Sequence, residues 1–151
     1  MLNRRHLRVK VLQTLYAYHQ SDQKDVKYHE KQLLQSIDKV YEMYIWMLSL
    51  ISEVIQYAAI DAEDRANKHL PTAEDLAPNL KILTNRFITS LNQNKEYLTA
   101  LKKYKVAWDF DPELARALFT ILKNSDEYKE YLLKTGDTIS TDKDIIKLIF
   151  K

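Results

Sequence analysis

Apolar residues recur along this chain at three- and four-residue spacing almost from end to end, the period of helices that bury one face. Placed at intervals of about 100°, Leu7, Val11, Leu12, Leu15, Tyr16 and Tyr18 share one broad sector of a first helix. That helix is predicted from about Asn3, which suits an N-cap, to about Gln20. His6, Lys10, Gln13, Thr14 and Ala17 fall on the opposite side. Arg4 and Arg8 stand one turn apart, in line with Val11 and Leu15, and carry the apolar stripe past the point where a core must end.

Ser21-Asp22 marks a turn, and no Gly or Pro follows until Pro71, so a second helix is expected from about Val26 to His69. About 40 residues at 1.5 Å each would make a rod near 60 Å long, with any break expected in the polar 61–68 stretch. Leu33, Ile37, Val40, Tyr44, Met47, Leu48, Ile51, Val54, Ile55 and Ala58 keep the helical spacing and mark this element as the central post. Residues 70–80, with Pro71, Pro78 and Asn79, read as a loop holding at most one helical turn over Thr72 to Asp75. A third helix is expected from about Thr84 to Lys105. Asp111-Pro112-Glu113 is a strong helix start, because Asp caps free amides and Pro fits the first turn; that helix should reach about Lys123. Ser125-Asp126-Glu127 restarts a fifth, Thr135-Gly136-Asp137 is a turn, and Thr141-Asp142-Lys143-Asp144 resembles a capping box opening a sixth. Ile145, Ile146, Leu148, Ile149 and Phe150 then crowd a very short ending, which is expected to pack on further sequence or on another copy of the chain.

Composition agrees with an all-α domain organised as a short N-terminal helix on a long central one with three or four shorter helices. The 151 residues fit one domain. One Gly and three Pro leave too few turn residues for a sheet protein. With no cysteine there is no disulfide framework, thiolate zinc site or cysteine nucleophile, and a reducing, cytoplasmic setting fits. No uncharged leader segment is visible, and the most apolar stretch, 44–60, carries Glu53 and Gln56 and suits a buried helix better than a membrane span.

Net charge is only +2, but its distribution is uneven. Four of the 23 Lys and Arg residues, Arg4, Arg5, Arg8 and Lys10, fall within residues 1–10 beside no acid, leaving 19 against 21 Asp and Glu elsewhere. A helix start already carries partial positive charge, so cations there work against the helix. A phosphate ligand would account for them, since guanidinium forks and free amides meet at that end. The alternative is a solvated basic terminus. A second basic cluster, Lys102, Lys103 and Lys105 with Tyr104 and Trp108, suits either phosphate contact with stacking or simple helix-end lysines beside core aromatics. Tyr41, Tyr44, Trp46 and Tyr57 lie at core spacing, with a partner groove as the other reading.

Arg4-Arg5-His6-Leu7-Arg8, then Gln13-Thr14-Leu15-Tyr16 and Gln20-Ser21, resembles the opening helix of the NusB family of transcription antitermination factors. The likeness is good over about the first 20 residues and loose over the second helix. It divides the chain into NusB-like N-terminal helices over 1–70 and additional helical material over 71–151 of the same compact unit. The family's C-terminal helices are not recognisable, as expected of the front part of a longer branch. The resemblance implies an all-helical protein that binds boxA-like RNA of ribosomal RNA leaders, with the ribosomal protein NusE and the elongation complex as partners, acting in antitermination or termination. Arg4, Arg5 and Arg8 match family arginines, and Gln13, Leu15 and Tyr16 match the segment after them. His6 stands where another arginine is common. Lys10 would add positive field, and His6 or Gln13 would touch bases or sugars.

Catalytic, cofactor and metal signals are absent from the sequence. One glycine leaves no phosphate-cradling loop or dinucleotide fingerprint, and His6, His19, His29 and His69 form no metal-binding pair. Asp61, Glu63, Asp64 and His69 read as a solvated helix end. A binding protein is therefore expected, with no membrane involvement and with self-association left open. Two other readings remain: a helical protein–protein interaction module, and the NusB-like front domain of a ribosomal RNA cytosine methyltransferase.

Overall fold

The computed structural model describes residues 3–22, 24–109, 111–134 and 138–150. The described chain is all-α, with eight α-helices and no strand. They are α1 (Arg4–Gln20), α2 (Val26–Ala66), α3 (Ala73–Leu76), α4 (Arg86–Gln93), α5 (Lys95–Tyr104), α6 (Pro112–Asn124), α7 (Asp126–Leu133) and α8 (Ile139–Lys147), with 3-10 turns at Lys81–Thr84 and Leu148–Phe150. The expected turn at Thr135-Gly136-Asp137 lies outside the described residues. Two compact units are formed, Met1–Trp46 and Met47–Lys151.

Local chemistry sets most boundaries. The Asn3 side chain accepts from the His6 amide at 2.9 Å and caps α1. Asp25 does the same before α2, accepting from the Lys27 amide at 2.9 Å. α2 runs for 41 residues and ends at Ala66, inside the polar 61–68 stretch where any break was expected and short of His69. Thr72 and Asp75 cap each other reciprocally at the start of α3. Asp111 caps α6, with Pro112 in its first turn, and Ser125 caps α7.

Two expectations change. The helix expected over residues 84–105 is two helices, because Asn85 and Asn94 are both N-caps. Asn85 Oδ1 accepts from the Phe87 and Ile88 amides, and Asn94 Oδ1 from the Tyr97 amide at 3.0 Å. Asparagine offers the backbone this alternative to a helical bond, and here the alternative wins. At the other end, Thr138 rather than Thr141 caps α8, accepting from the Thr141 amide. α8 therefore starts one turn earlier, which places Asp142 inside it and buried.

The second unit has its core along α2 from Leu50, Ile51, Val54, Ile55 and Ala58. Against them lie Ile82, Ile88, Phe119, Leu122, Tyr128, Tyr131, Ile145 and Ile146. By length and composition alone α2 could cross a membrane, but within this unit its apolar face is covered by the unit's own helices. Burying side chains of this size stabilises by roughly 1.5–3 kcal/mol each before the entropy cost of ordering them. The C-terminal apolar run is also used here: Ile145 and Ile146 are buried, and Leu148 and Ile149 pack on the core. This corrects the expectation that these residues pack on something outside the chain; only Phe150 is exposed. Of the aromatic group, Tyr57 packs on Phe119 with ring centroids 5.9 Å apart, whereas Tyr41 and Tyr44 are exposed.

Candidate nucleic-acid interface

The basic start of α1 is open to solvent. Arg4, Arg5, His6 and Arg8 are all exposed, and the first turn has no acidic residue. Among the described residues none of the three arginines pairs with a carboxylate. The Asn3 cap satisfies the His6 amide, and the Asn3 carbonyl accepts from the Leu7 amide at 3.2 Å. The Arg4 and Arg5 amides have no acceptor among the described residues. Three guanidinium groups and two free amides thus stand together at the positive end of a 17-residue helix. Nothing in the described fold offsets that charge, and an anion of matching geometry would.

Further along α1 the faces are used differently from the expectation. No residue of the helix is buried; Leu12 and Tyr16, from the sector expected to face a core, are 68% and 67% exposed. The other side, Lys10, Gln13 and Thr14, borders a groove of about 360 Å³ whose far wall is formed by Tyr28, His29 and Gln32 at the start of α2. The ring of Tyr18 meets His29 edge-on at 5.4 Å, and Tyr28 does so at 5.2 Å. His29 is only 8% exposed. Its Nε2 is buried without a hydrogen-bond partner.

Lys10 and Gln13 therefore sit at the groove, whereas Arg4, Arg5, His6 and Arg8 occupy the free end of the helix. His29, Tyr28 and Gln32 were not legible as site residues. They lie at the start of a helix whose apolar pattern dominates, and only the return of the chain after Ser21 brings them to α1. The second basic cluster belongs to the other unit. Lys102 and Lys103 are exposed in the last turn of α5, where cations complement the helix dipole, and Lys105 is its left-handed C-cap. Lys103 Nζ lies 4.5 Å from the centre of the Tyr104 ring. Trp108 is partly buried against the core, with its indole N–H donating to Ser49 Oγ at 3.1 Å. It acts there as a core aromatic.

The second unit also holds a cavity of about 500 Å³, bordered by Asp61, Arg65, Phe119, Lys123 and Tyr128. Asp61 accepts from Lys123 at 2.9 Å and from Arg65 at 3.0 Å, and Glu74 and Lys129 also border the cavity. No group of three or more His, Cys, Asp or Glu suited to a metal occurs among the described residues. No protein-family model, curated protein or solved structure matches this chain.

Proposed function

We propose that this chain is an RNA-binding protein of transcription, working as the NusB family does in antitermination or termination and not as an enzyme. The observation that carries the reading is the exposed set Arg4, Arg5 and Arg8 beside the Arg4 and Arg5 amides, which have no acceptor among the described residues. The arginines neutralise phosphates, Lys10 adds field, and His6 and Gln13 contact bases or sugars. The sequence likeness over the first helix supports boxA-like RNA as the ligand and NusE with the cytoplasmic elongation complex as partners.

A fluorescence-anisotropy titration tests this with boxA-like and scrambled RNA, at two salt concentrations, on wild type and the triple variant R4A/R5A/R8A. Wild type is expected to bind in a salt-sensitive manner with preference for the boxA-like strand, and the variant to lose binding. Equal weak binding of both RNAs by both proteins would sink the proposal.

A second reading has its own observation. Leu12, Leu15 and Tyr16 of α1 are exposed together, which suits a protein-interaction module, including self-association. It predicts salt-insensitive association that survives R4A and R8A. Membership in an RNA-modifying enzyme requires a catalytic domain elsewhere in the protein, because no catalytic constellation occurs in this sequence.

A further inference from the structure

We propose that the groove between α1 and the start of α2 receives one unstacked nucleobase of the RNA strand held by the arginines of α1. The inference rests on the RNA-binding reading and adds the position where sequence is read.

The lining decides the ligand class. It contains no carboxylate and a single cation, Lys10, so its chemistry is hydrogen bonding rather than charge neutralisation. The Thr14 hydroxyl is already committed to the Lys10 carbonyl at 3.0 Å. The Ser36 hydroxyl is likewise committed to the Leu33 carbonyl at 2.8 Å, which leaves the Gln13 and Gln32 amides, the Tyr28 hydroxyl and the His29 ring as groups that direct recognition. An amide presents a donor beside an acceptor, and a neutral imidazole carries one of each. This is the pattern along a base edge, and glutamine matches adenine in two places at once. A bare phosphate would need more positive charge, and a hydrocarbon would leave these groups unmet.

His29 is the second, independent observation. Its ring is held edge-on by Tyr18 and Tyr28 at interplanar angles of 88° and 89°. A buried ring nitrogen with no partner is costly to folding, and because Nε2 is closed off from solvent, a ligand atom reaches it only when Tyr18 or Tyr28 moves aside. Tyr28 is 55% exposed and offers a ring on which a base can stack. Gln13 lies five residues beyond Arg8, about 7–8 Å along the helix axis and about 140° around it, so a strand held at Arg8 crosses the helix to bring a base to the groove.

The test is a scan of the boxA-like RNA in which each base in turn is replaced by an abasic site, with binding read by anisotropy. It uses wild type, Gln32→Ala, His29→Phe and R4A/R5A/R8A. One abasic position is expected to weaken wild-type binding about tenfold. Gln32→Ala and His29→Phe should each weaken the intact RNA by a similar factor and no longer distinguish that abasic strand. Gln32 is exposed, so its variant reports even if the change at His29 disturbs folding. Loss of binding in the arginine variant, combined with no effect of any abasic site or of Gln32→Ala, overturns the base subsite and leaves RNA binding standing. No binding by wild type overturns both.

Discussion

Asn85 and Asp142, 57 residues apart, hold each other's helix starts. The Asn85 Nδ2 donates to the Asp142 carbonyl at 3.0 Å. The Asp142 carboxylate accepts from the Arg86 amide at 3.1 Å, and from the Tyr131 hydroxyl at 3.0 Å. Both residues are almost fully buried. The pair ties α4, α7 and α8 into one cluster and explains why a carboxylate and an amide are tolerated inside an apolar core.

Removing the carboxylate should therefore be costly. Asp142→Ala removes the acceptor of the Arg86 amide and one bond of the Tyr131 hydroxyl, and is expected to lower stability by about 3 kcal/mol. Asp142→Asn keeps one acceptor and should lose roughly half as much. Urea denaturation followed by circular dichroism measures both. An alanine variant within about 0.5 kcal/mol of wild type would show that the cluster does not hold these helices together.

Acid should release the cap on α3. Asp75 Oδ2 accepts from the Thr72 amide at 3.1 Å and from the Thr72 hydroxyl at 3.0 Å, and Oδ1 accepts from Lys68 at 3.3 Å. Bonding to the Thr72 amide, then to its hydroxyl, holds the carboxyl below its ordinary value despite burial, with Lys68 contributing less. With the folded pKa depressed, the unfolded chain takes up the proton first as pH falls. The stabilisation is thus present above the ordinary value near 4 and is lost as pH drops through the lower folded value. The gap in urea midpoint between wild type and Asp75→Asn should be open at about pH 6 and should close in that acid range. A gap that persists unchanged into the acid would contradict the cap.

Alkali should act through Tyr128. Burial pushes its hydroxyl up to about 12, Asp61 adds to the rise and Arg65 works against it. Since the folded pKa is raised, the contribution is complete below the ordinary value near 10 and is lost as pH rises from there through the folded value. Between pH 9 and 11, roughly, wild type should lose more stability than Tyr128→Phe. Equal losses in the two proteins would mean that the hydroxyl titrates normally.

Lys105 is the one non-glycine residue with positive φ among the described residues, at φ 52° and ψ 45°. A side chain is disfavoured there, so Lys105→Gly should raise stability by about 0.5–1 kcal/mol. The same variant should leave RNA affinity nearly unchanged if α1 is the interface. A fall as large as that from removing an arginine would bring the α5 lysines into contact with RNA.

Salt dependence gives a per-residue reading of α1. Each of Arg4→Ala, Arg5→Ala and Arg8→Ala should reduce the slope of log affinity against log salt by about 0.7 if that side chain neutralises a phosphate of a single strand. A variant that weakens binding without changing the slope contacts something other than phosphate.

Much of the fold was open to reading because it is local. Helical periodicity and the caps at Asn3, Thr72, Asp111 and Ser125 act over three or four residues, and the same residues perform those roles in the structure. The caps at Asn85 and Asn94 were equally local, but an unbroken apolar period across residues 84–105 concealed them. The concentration of arginine at the start of α1 was also plain, since charge can be counted and a helix start has a known polarity.

Long-range placement was not available in this way. Periodicity tells which residues share a face, not which face meets the rest of the protein. On α1 the apolar sector at Leu12 and Tyr16 is exposed, and the polar side at Lys10 and Gln13 borders the groove. Asp142 looked like part of a capping box, yet a partner 57 residues earlier draws it into the core. Ile145 and Ile146 looked unpartnered until α8 was placed against the rest of its unit. His29 acquires its buried, unpaired nitrogen only because Tyr18 and Tyr28 close on it. Hydrogen-bonding capacity and apolar area belong to each residue, but which of them is desolvated depends on neighbours that are distant in the chain.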